Sequence, residues 1–189
     1  MKNYFVLACA AVFLTFVAGT VFADSISGRV GVTGRIGFIV PSDSSSIATG
    51  VIGTNADFIG GGGFIYGITD AVAAELDVTH ASFNGFDTTN ISLGAQYRFT
   101  GIPVEHLVPY VGAGVDILVN DSSLGNVDNV VGAHVSAGVD YFLQKQLALT
   151  AELKGVLAPN ADITIGGVKM GEFDPTGFAM TFGVRYFFN

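Results

Sequence analysis

From Gly177 to Phe188 every even-numbered residue (Phe178, Met180, Phe182, Val184, Tyr186, Phe188) is large and apolar. The odd positions run Gly, Ala, Thr, Gly and Arg until Phe187 departs from the pattern. Side chains of an extended strand alternate between two faces, so this stretch predicts a strand with one oily face and one small or polar face. The alternation recurs along the whole chain, and it constrains the fold more than any motif does.

Seven earlier segments carry it. Ser25–Val40 sets Ile26, Val30, Val32, Ile36, Phe38 and Val40 against Arg29, Thr33 and Arg35. Ala56–Ile68 sets Phe58, Phe64, Tyr66 and Ile68 against Asp57 and glycines, and the third strand sets Val72, Ala74, Leu76 and Val78 against Glu75, Asp77 and Thr79. In the fourth, Ile91, Leu93, Ala95, Tyr97 and Phe99 oppose Ser92, Gln96 and Arg98; in the fifth, Val111, Ala113, Val115, Ile117 and Val119 oppose Tyr110 and Asp116. The sixth places Ala133, Val135, Ala137, Val139 and Tyr141 opposite His134, Ser136 and Asp140, and the seventh Leu147, Leu149, Ala151 and Leu153 opposite Thr150, Glu152 and Lys154. No stretch sustains a helical period.

When each strand's phase is set from its apolar residues alone, all eleven strand charges fall on the other face: Arg29, Arg35, Asp57, Glu75, Asp77, Arg98, Asp116, Asp140, Glu152, Lys154 and Arg185. Connections alternate in length, with Pro41–Asn55, Phe83–Thr88, Asn120–Val130 and Ala158–Thr176 long and the intervening ones short. An even strand number, long external loops, tight periplasmic turns and both termini inside characterise bacterial membrane barrels. The predicted fold is therefore all-β, an eight-stranded antiparallel up-and-down transmembrane β-barrel.

Alternation does not say which face points inward, because a soluble barrel would enclose the oily one. Soluble surfaces carry roughly 25–35% charge, yet here the polar face is mostly Gly, Ser, Thr and Ala with five basic and six acidic side chains. Such a face suits a crowded interior in which arginines and carboxylates pair. With the oily face outward, Tyr66, Tyr97, Phe99, Tyr141, Tyr186 and Phe188 fall at the periplasmic rim and Phe38, Phe58 and Phe178 at the opposite one. These make two aromatic girdles. The predicted lumen residues are then the eleven charges together with Tyr110 and His134.

The N-terminus predicts a secretory signal: Lys2, the apolar run Tyr4–Val17, then Val21-Phe22-Ala23 with cleavage near Ala23. Residues 1–23 are the signal and 24–189 the barrel, so the predicted location is the outer membrane of a Gram-negative-type bacterium. Cys9, the only cysteine, leaves with the signal, which excludes a disulfide, a thiol nucleophile or a thiolate metal site in the mature chain. Loss of Lys2 leaves seven Lys and Arg against sixteen Asp and Glu, a balance that argues against nucleic acid as a partner.

The hairpin Tyr66-Gly67-Ile68-Thr69-Asp70-Ala71-Val72-Ala73-Ala74-Glu75-Leu76, the strand Pro109-Tyr110-Val111-Gly112-Ala113-Gly114-Val115, the segment Ala137-Gly138-Val139-Asp140-Tyr141-Phe142-Leu143, and Phe173-Asp174-Pro175 before the aromatic last strand together resemble the OmpW family of small outer-membrane barrels. The chain departs from that family in its shorter loops, its lack of tryptophan and Asn189 after the terminal aromatic. The last strand is shared with OmpA-like barrels generally. The resemblance implies a narrow, partly apolar lumen that passes small hydrophobic molecules, along its axis or sideways through the wall. It also implies links to stress responses and to service as a surface receptor.

Other candidate features read more simply. Paired interior charges suit a closed barrel better than an ion path. The run Gly60–Gly63 is the expected bulge or weak wall. His80-Ala81-Ser82 has the elements of an activated hydroxyl but no orienting acid on its face, and His106 and His134 read as turn and lumen residues. The acidic outer positions Asp43, Asp87, Asp121, Asp128, Asp162, Glu172 and Asp174 read as solvated loops before they read as sites for divalent cations bridging lipopolysaccharide. No catalytic, cofactor or metal residue is assigned, and no enzyme activity is expected.

The expected function is passive passage of small, hydrophobic solutes through a monomer embedded in outer-membrane lipid and lipopolysaccharide. The alternatives are a structural or adhesive barrel whose external loops bind partners and, more weakly, a lipid-modifying enzyme.

Overall fold

The computed structural model describes residues 25–41, 45–47, 50–52, 57–83, 86–102, 104–122, 126–165 and 168–188. The predicted signal, with Cys9 and the expected cleavage site near Ala23, lies outside them, as does Asp43.

Among the described residues, thirteen strands form in chain order: β1 (Val30–Pro41), β2 (Ser45–Ile47), β3 (Gly50–Ile52), β4 (Asp57–Gly67), β5 (Val72–Phe83), β6 (Phe86–Arg98), β7 (Leu107–Ser122), β8 (Asn126–Val127), β9 (Val130–Gln144), β10 (Leu147–Leu157), β11 (Ala161–Ile165), β12 (Val168–Phe173) and β13 (Gly177–Phe187). Eight of them close into an antiparallel barrel in the order β1-β13-β10-β9-β7-β6-β5-β4. β1 pairs with β13 from Gly31↔Phe187 to Pro41↔Gly177 and with β4 from Val30↔Tyr66 to Ile39↔Asp57. Closure satisfies the ladder of every strand, which hydrocarbon demands because it offers no hydrogen bonds of its own. The wall strands run from 11 to 16 residues, whereas about 9–11 tilted residues span a bilayer, so the longest project beyond it.

The wall is greasy outside. Val135, Leu153, Phe178 and Phe182 are about half or more exposed, an apolar coverage that a monomer in water does not sustain. The predicted girdle residues all stand outward: Tyr66, Tyr97, Phe99, Tyr141, Tyr186 and Phe188 at the short-turn end, and Phe38, Phe58 and Phe178 at the other. Tyr97 packs edge-on against Phe99, Tyr186 against Phe188, and Phe38 against Phe58.

Three expectations are corrected. The first strand begins at Val30, not Ser25. Gly28 has φ of 72°, a left-handed turn that an L side chain resists, and it swings Ile26 off the lipid face so that it is buried at the barrel's end. The run Gly60–Gly63 is neither a bulge nor a gap: it pairs in unbroken register with Thr33–Ile36 on β1 (Thr33↔Gly63 to Ile36↔Gly60) and with Asp77–His80 on β5. The ladder shifts register instead at Leu147/Ala148 and at Ile163/Thr164. Finally, the first, third and last long connections are not plain loops. They contribute β2, β3, β8, β11 and β12 to a second, five-stranded sheet in the order β3-β2-β12-β11-β8 at the long-loop end.

Candidate functional site

The interior is built in three layers. At the short-turn end, Ile26, Ile65, Ala73, Val108, Phe142, Ala148 and Phe187 make an apolar plug. Phe142 and Phe187 are stacked with ring centroids 5.9 Å apart and are essentially inaccessible. Arg29 lies at the rim beneath this plug rather than in the lumen: its guanidinium donates to the carbonyl oxygens of Lys145 at 2.9 Å and Phe188 at 3.3 Å and sits over the Phe187 ring. It ties the first wall strand to the end of the last.

Above the plug is an ionic layer whose charges come from six strands around the wall. Arg185 on β13 donates to Asp140 at 2.8 Å, to Glu75 at 2.7 Å and to Thr33 at 3.0 Å. Arg35 on β1 reaches Glu75 and Glu152 at 2.8 Å each and Asp77 at 3.1 Å. Arg98 on β6 lies 2.8 Å from the same Asp140 oxygen that Arg185 uses. Tyr110 donates to Glu152 at 3.1 Å, and both Arg98 and Arg185 lie over its ring. Gln96 donates to Glu75 as well. Burial of these ions is costly unless they are paired and hydrogen-bonded; here each arginine meets at least one carboxylate, and Arg98, Tyr110, Asp140 and Arg185 are at most 1% exposed.

A second polar group borders the first. Asp116 accepts from Asn90 at 2.9 Å and lies 2.7 Å from His134 Nδ1. Lys154 donates to Ser92 Oγ at 3.0 Å. A small polar hollow lies among Glu75, Asp77, Gln96, His134 and Lys154. Asp57 is half-buried at the long-loop end and accepts from the Phe58 amide, so it belongs to the mouth.

The third layer is apolar again. Ile59, Ala81, Leu118, Val130, Val156 and Ala179 cluster at the long-loop end together with Val127 of β8 and Ala161 of β11. Enclosed by this layer, above the ions, lies a cavity of about 750 Å³ including its mouth and the open space there. Its walls are Ile39, Ile59, Ala81, Leu118, Val156 and Ala179, its floor is Arg35, Glu152 and Lys154, and Asp174-Pro175-Thr176 edges it.

Sequence reasoning placed the charges on the inner face with Thr33, Ser92, Gln96 and Thr150 beside them, but missed Asn90, the pairing among these groups and both apolar layers. The signal was present in the residues that break phase. Ile65, Val108, Phe142, Ala148 and Phe187 are apolar at inward positions, and all sit at the same end of their strands.

The other candidates stay scattered. His80 and Ser82 are exposed on the lipid side, and His80 Nδ1 lies 3.0 Å from Thr89 Oγ1, a hydroxyl and not a carboxylate. His106 stands in the turn before β7 with φ of 67°. Among the described residues no group of three His, Cys, Asp or Glu side chains is placed to hold a metal ion.

An oily wall around an ion-paired interior, with both rims ringed by aromatics, defines an outer-membrane β-barrel of the Gram-negative envelope. The chain belongs to the outer membrane protein beta-barrel domain family, whose model matches residues 9–188. No curated protein matches it at a significant level. Among solved structures it is similar to the outer membrane protein OprG from Pseudomonas aeruginosa, at 18% identity over 86% of this chain and 97% of that one, with a TM-score of 0.66. It is also similar to Neisserial surface protein A (18%, 87% and 99%, TM-score 0.60) and to Escherichia coli outer membrane protein W (17%, 86% and 98%, TM-score 0.52). At such identities the likeness is one of fold.

Proposed function

We propose that this barrel gives small apolar solutes passive entry across the outer membrane, taking them into the outer cavity and releasing them sideways into the bilayer. The observation that carries the reading is the order of the layers. An apolar cavity opens on the long-loop side, while the ionic layer and the Phe142–Phe187 plug fill the barrel below it. A solute that enters has an apolar wall beside it and buried ions beneath it, and ions in a low-dielectric interior are the worse neighbour for it.

The exit lies between β10 and β13. Their ladder ends at Val156↔Gly177, and beyond it the two chains are held by Thr176 Oγ1, which donates to the Ala158 carbonyl at 3.2 Å. Gly155 presents no side chain there and Phe178 lies over it on the lipid side. The protein works as a monomer in outer-membrane lipid and lipopolysaccharide, without enzymatic chemistry.

Purified protein in liposomes should speed entry of a small hydrophobic probe over empty liposomes. Equal rates would remove this reading. The five-stranded external sheet favours a second one, in which the loops bind a partner and the barrel is an anchor. Unchanged uptake together with retained surface binding after the cavity is filled would support it.

A further inference from the structure

Lys154 differs from the other cations of the lumen. Arg35, Arg98 and Arg185 are each ion-paired, whereas Lys154 stands in no ion pair among the described residues: it donates to the Ser92 hydroxyl at 3.0 Å and feels the carboxylates of Glu75, Asp77 and Asp116 only at longer range. An ammonium carries three donors, so two remain. The residue is half-buried, lines the floor of the apolar cavity and also borders the polar hollow beneath it. Donors at the bottom of an apolar pocket fix the orientation of a ligand that has one polar end.

The charges around it select that end. Within the lumen, the carboxylates Glu75, Asp77, Asp116, Asp140 and Glu152 face Arg35, Arg98, Arg185 and Lys154. Fixed carboxylates outnumber fixed cations by one, and His134 is committed to Asp116 at 2.7 Å. An anionic head would add to the excess beside Glu152, which shares the cavity floor. An ammonium head would meet Lys154 directly. A neutral oxygen acceptor avoids both penalties and takes a charge-assisted hydrogen bond.

We infer that the outer cavity binds short-chain amphiphiles bearing a neutral carbonyl head, with the chain against Ile59, Leu118, Val156 and Ala179 and the carbonyl oxygen accepting from Lys154. The inference rests on the cavity being the solute's entry, and it names the class of solute that the cavity prefers.

The test uses the full barrel in lipid nanodiscs, nitrogen-labelled, with the amide resonances of Val156 and Ala179 as reporters. The probes are methyl hexyl ketone, octane, octanoate and octylammonium. The ketone should saturate the reporters at a concentration about tenfold below that of octane, the scale of one hydrogen bond to a charged group. Octanoate and octylammonium should fall behind the ketone. In Lys154→Met the ketone should lose its advantage while octane still binds, at least as tightly as before, which also shows that the variant cavity is intact. Lys154→Arg should keep the advantage.

Equal binding of ketone and octane, tightest binding of either ion, or a preference that survives Lys154→Met would overturn the head-group assignment and leave the entry reading standing. Failure of every probe to reach the reporters would overturn both.

Discussion

Arg185 Nη2 lies 2.7 Å from Glu75 Oε1, although β13 and β5 are separated in the wall by β1 and β4. The contact therefore crosses the lumen as a chord and does not follow the ladder. Arg35 on β1 holds the same carboxylate from between them, so a single glutamate braces three strands across the closure. Hydrogen bonds around the wall close the sheet; this chord fixes the shape of the section.

Replacement of Arg185 by Met should lower stability by about 3 kcal/mol, at the low end for removal of one partner from a buried pair. The low end applies because Glu75 retains Arg35 and Asp140 retains Arg98. A reduced urea midpoint for the barrel refolded in lipid vesicles checks it. Adding Glu75→Gln should restore part of the loss, since Arg35 keeps Asp77 and Glu152 without it and effects within one network are not additive.

Phe182 stands on the lipid face between the Phe178 and Tyr186 girdles and is 49% exposed. An arginine there would face hydrocarbon near mid-membrane, and about 2–4 kcal/mol should be lost. Thr181, its inward neighbour, is buried beside Glu152 on β10, and Thr181→Arg should cost less because a carboxylate stands directly across the ladder. The difference between the two midpoints in the same lipid measures the face rule.

That rule was legible because hydrocarbon tolerates no lapse. Leu153 and Lys154 are neighbours in sequence, and one faces lipid while the other borders the cavity; alternation alone assigns them. The pairing of charges was not legible. Arg185 and Glu75 are 110 positions apart in the chain, and nothing in the local pattern specifies which strands face each other across a barrel. The apolar layers lay between these cases. Val108, Phe142 and Phe187 sit at the polar phase, and read one strand at a time each is an exception; mapped onto the closed order of strands they meet as a plug. The external sheet was missed because β2, β3 and β8 have only two or three residues each, too few for a period-two signal to stand out.

Ala179 lines the cavity on β13 and is 7% exposed. In Ala179→Phe the ring should occupy the cavity, and uptake of the hydrophobic probe should drop to the rate of empty liposomes. Overpacking ordinarily costs about 1–3 kcal/mol, and the space available here should hold the loss to the lower figure. Unchanged uptake by a folded variant would place the route elsewhere.

Phe187 separates sideways exit from passage along the axis. It is fully buried in the plug against Phe142, so Phe187→Ala should lower stability by about 3–5 kcal/mol. The ionic layer above it is untouched, because none of its hydrogen bonds uses that ring. With release between β10 and β13, probe uptake by the variant should equal that of the unaltered barrel, and planar bilayers should show no new ion conductance. A rise in either would mean that the plug had been limiting transport, and the path would then run through the barrel to the periplasm.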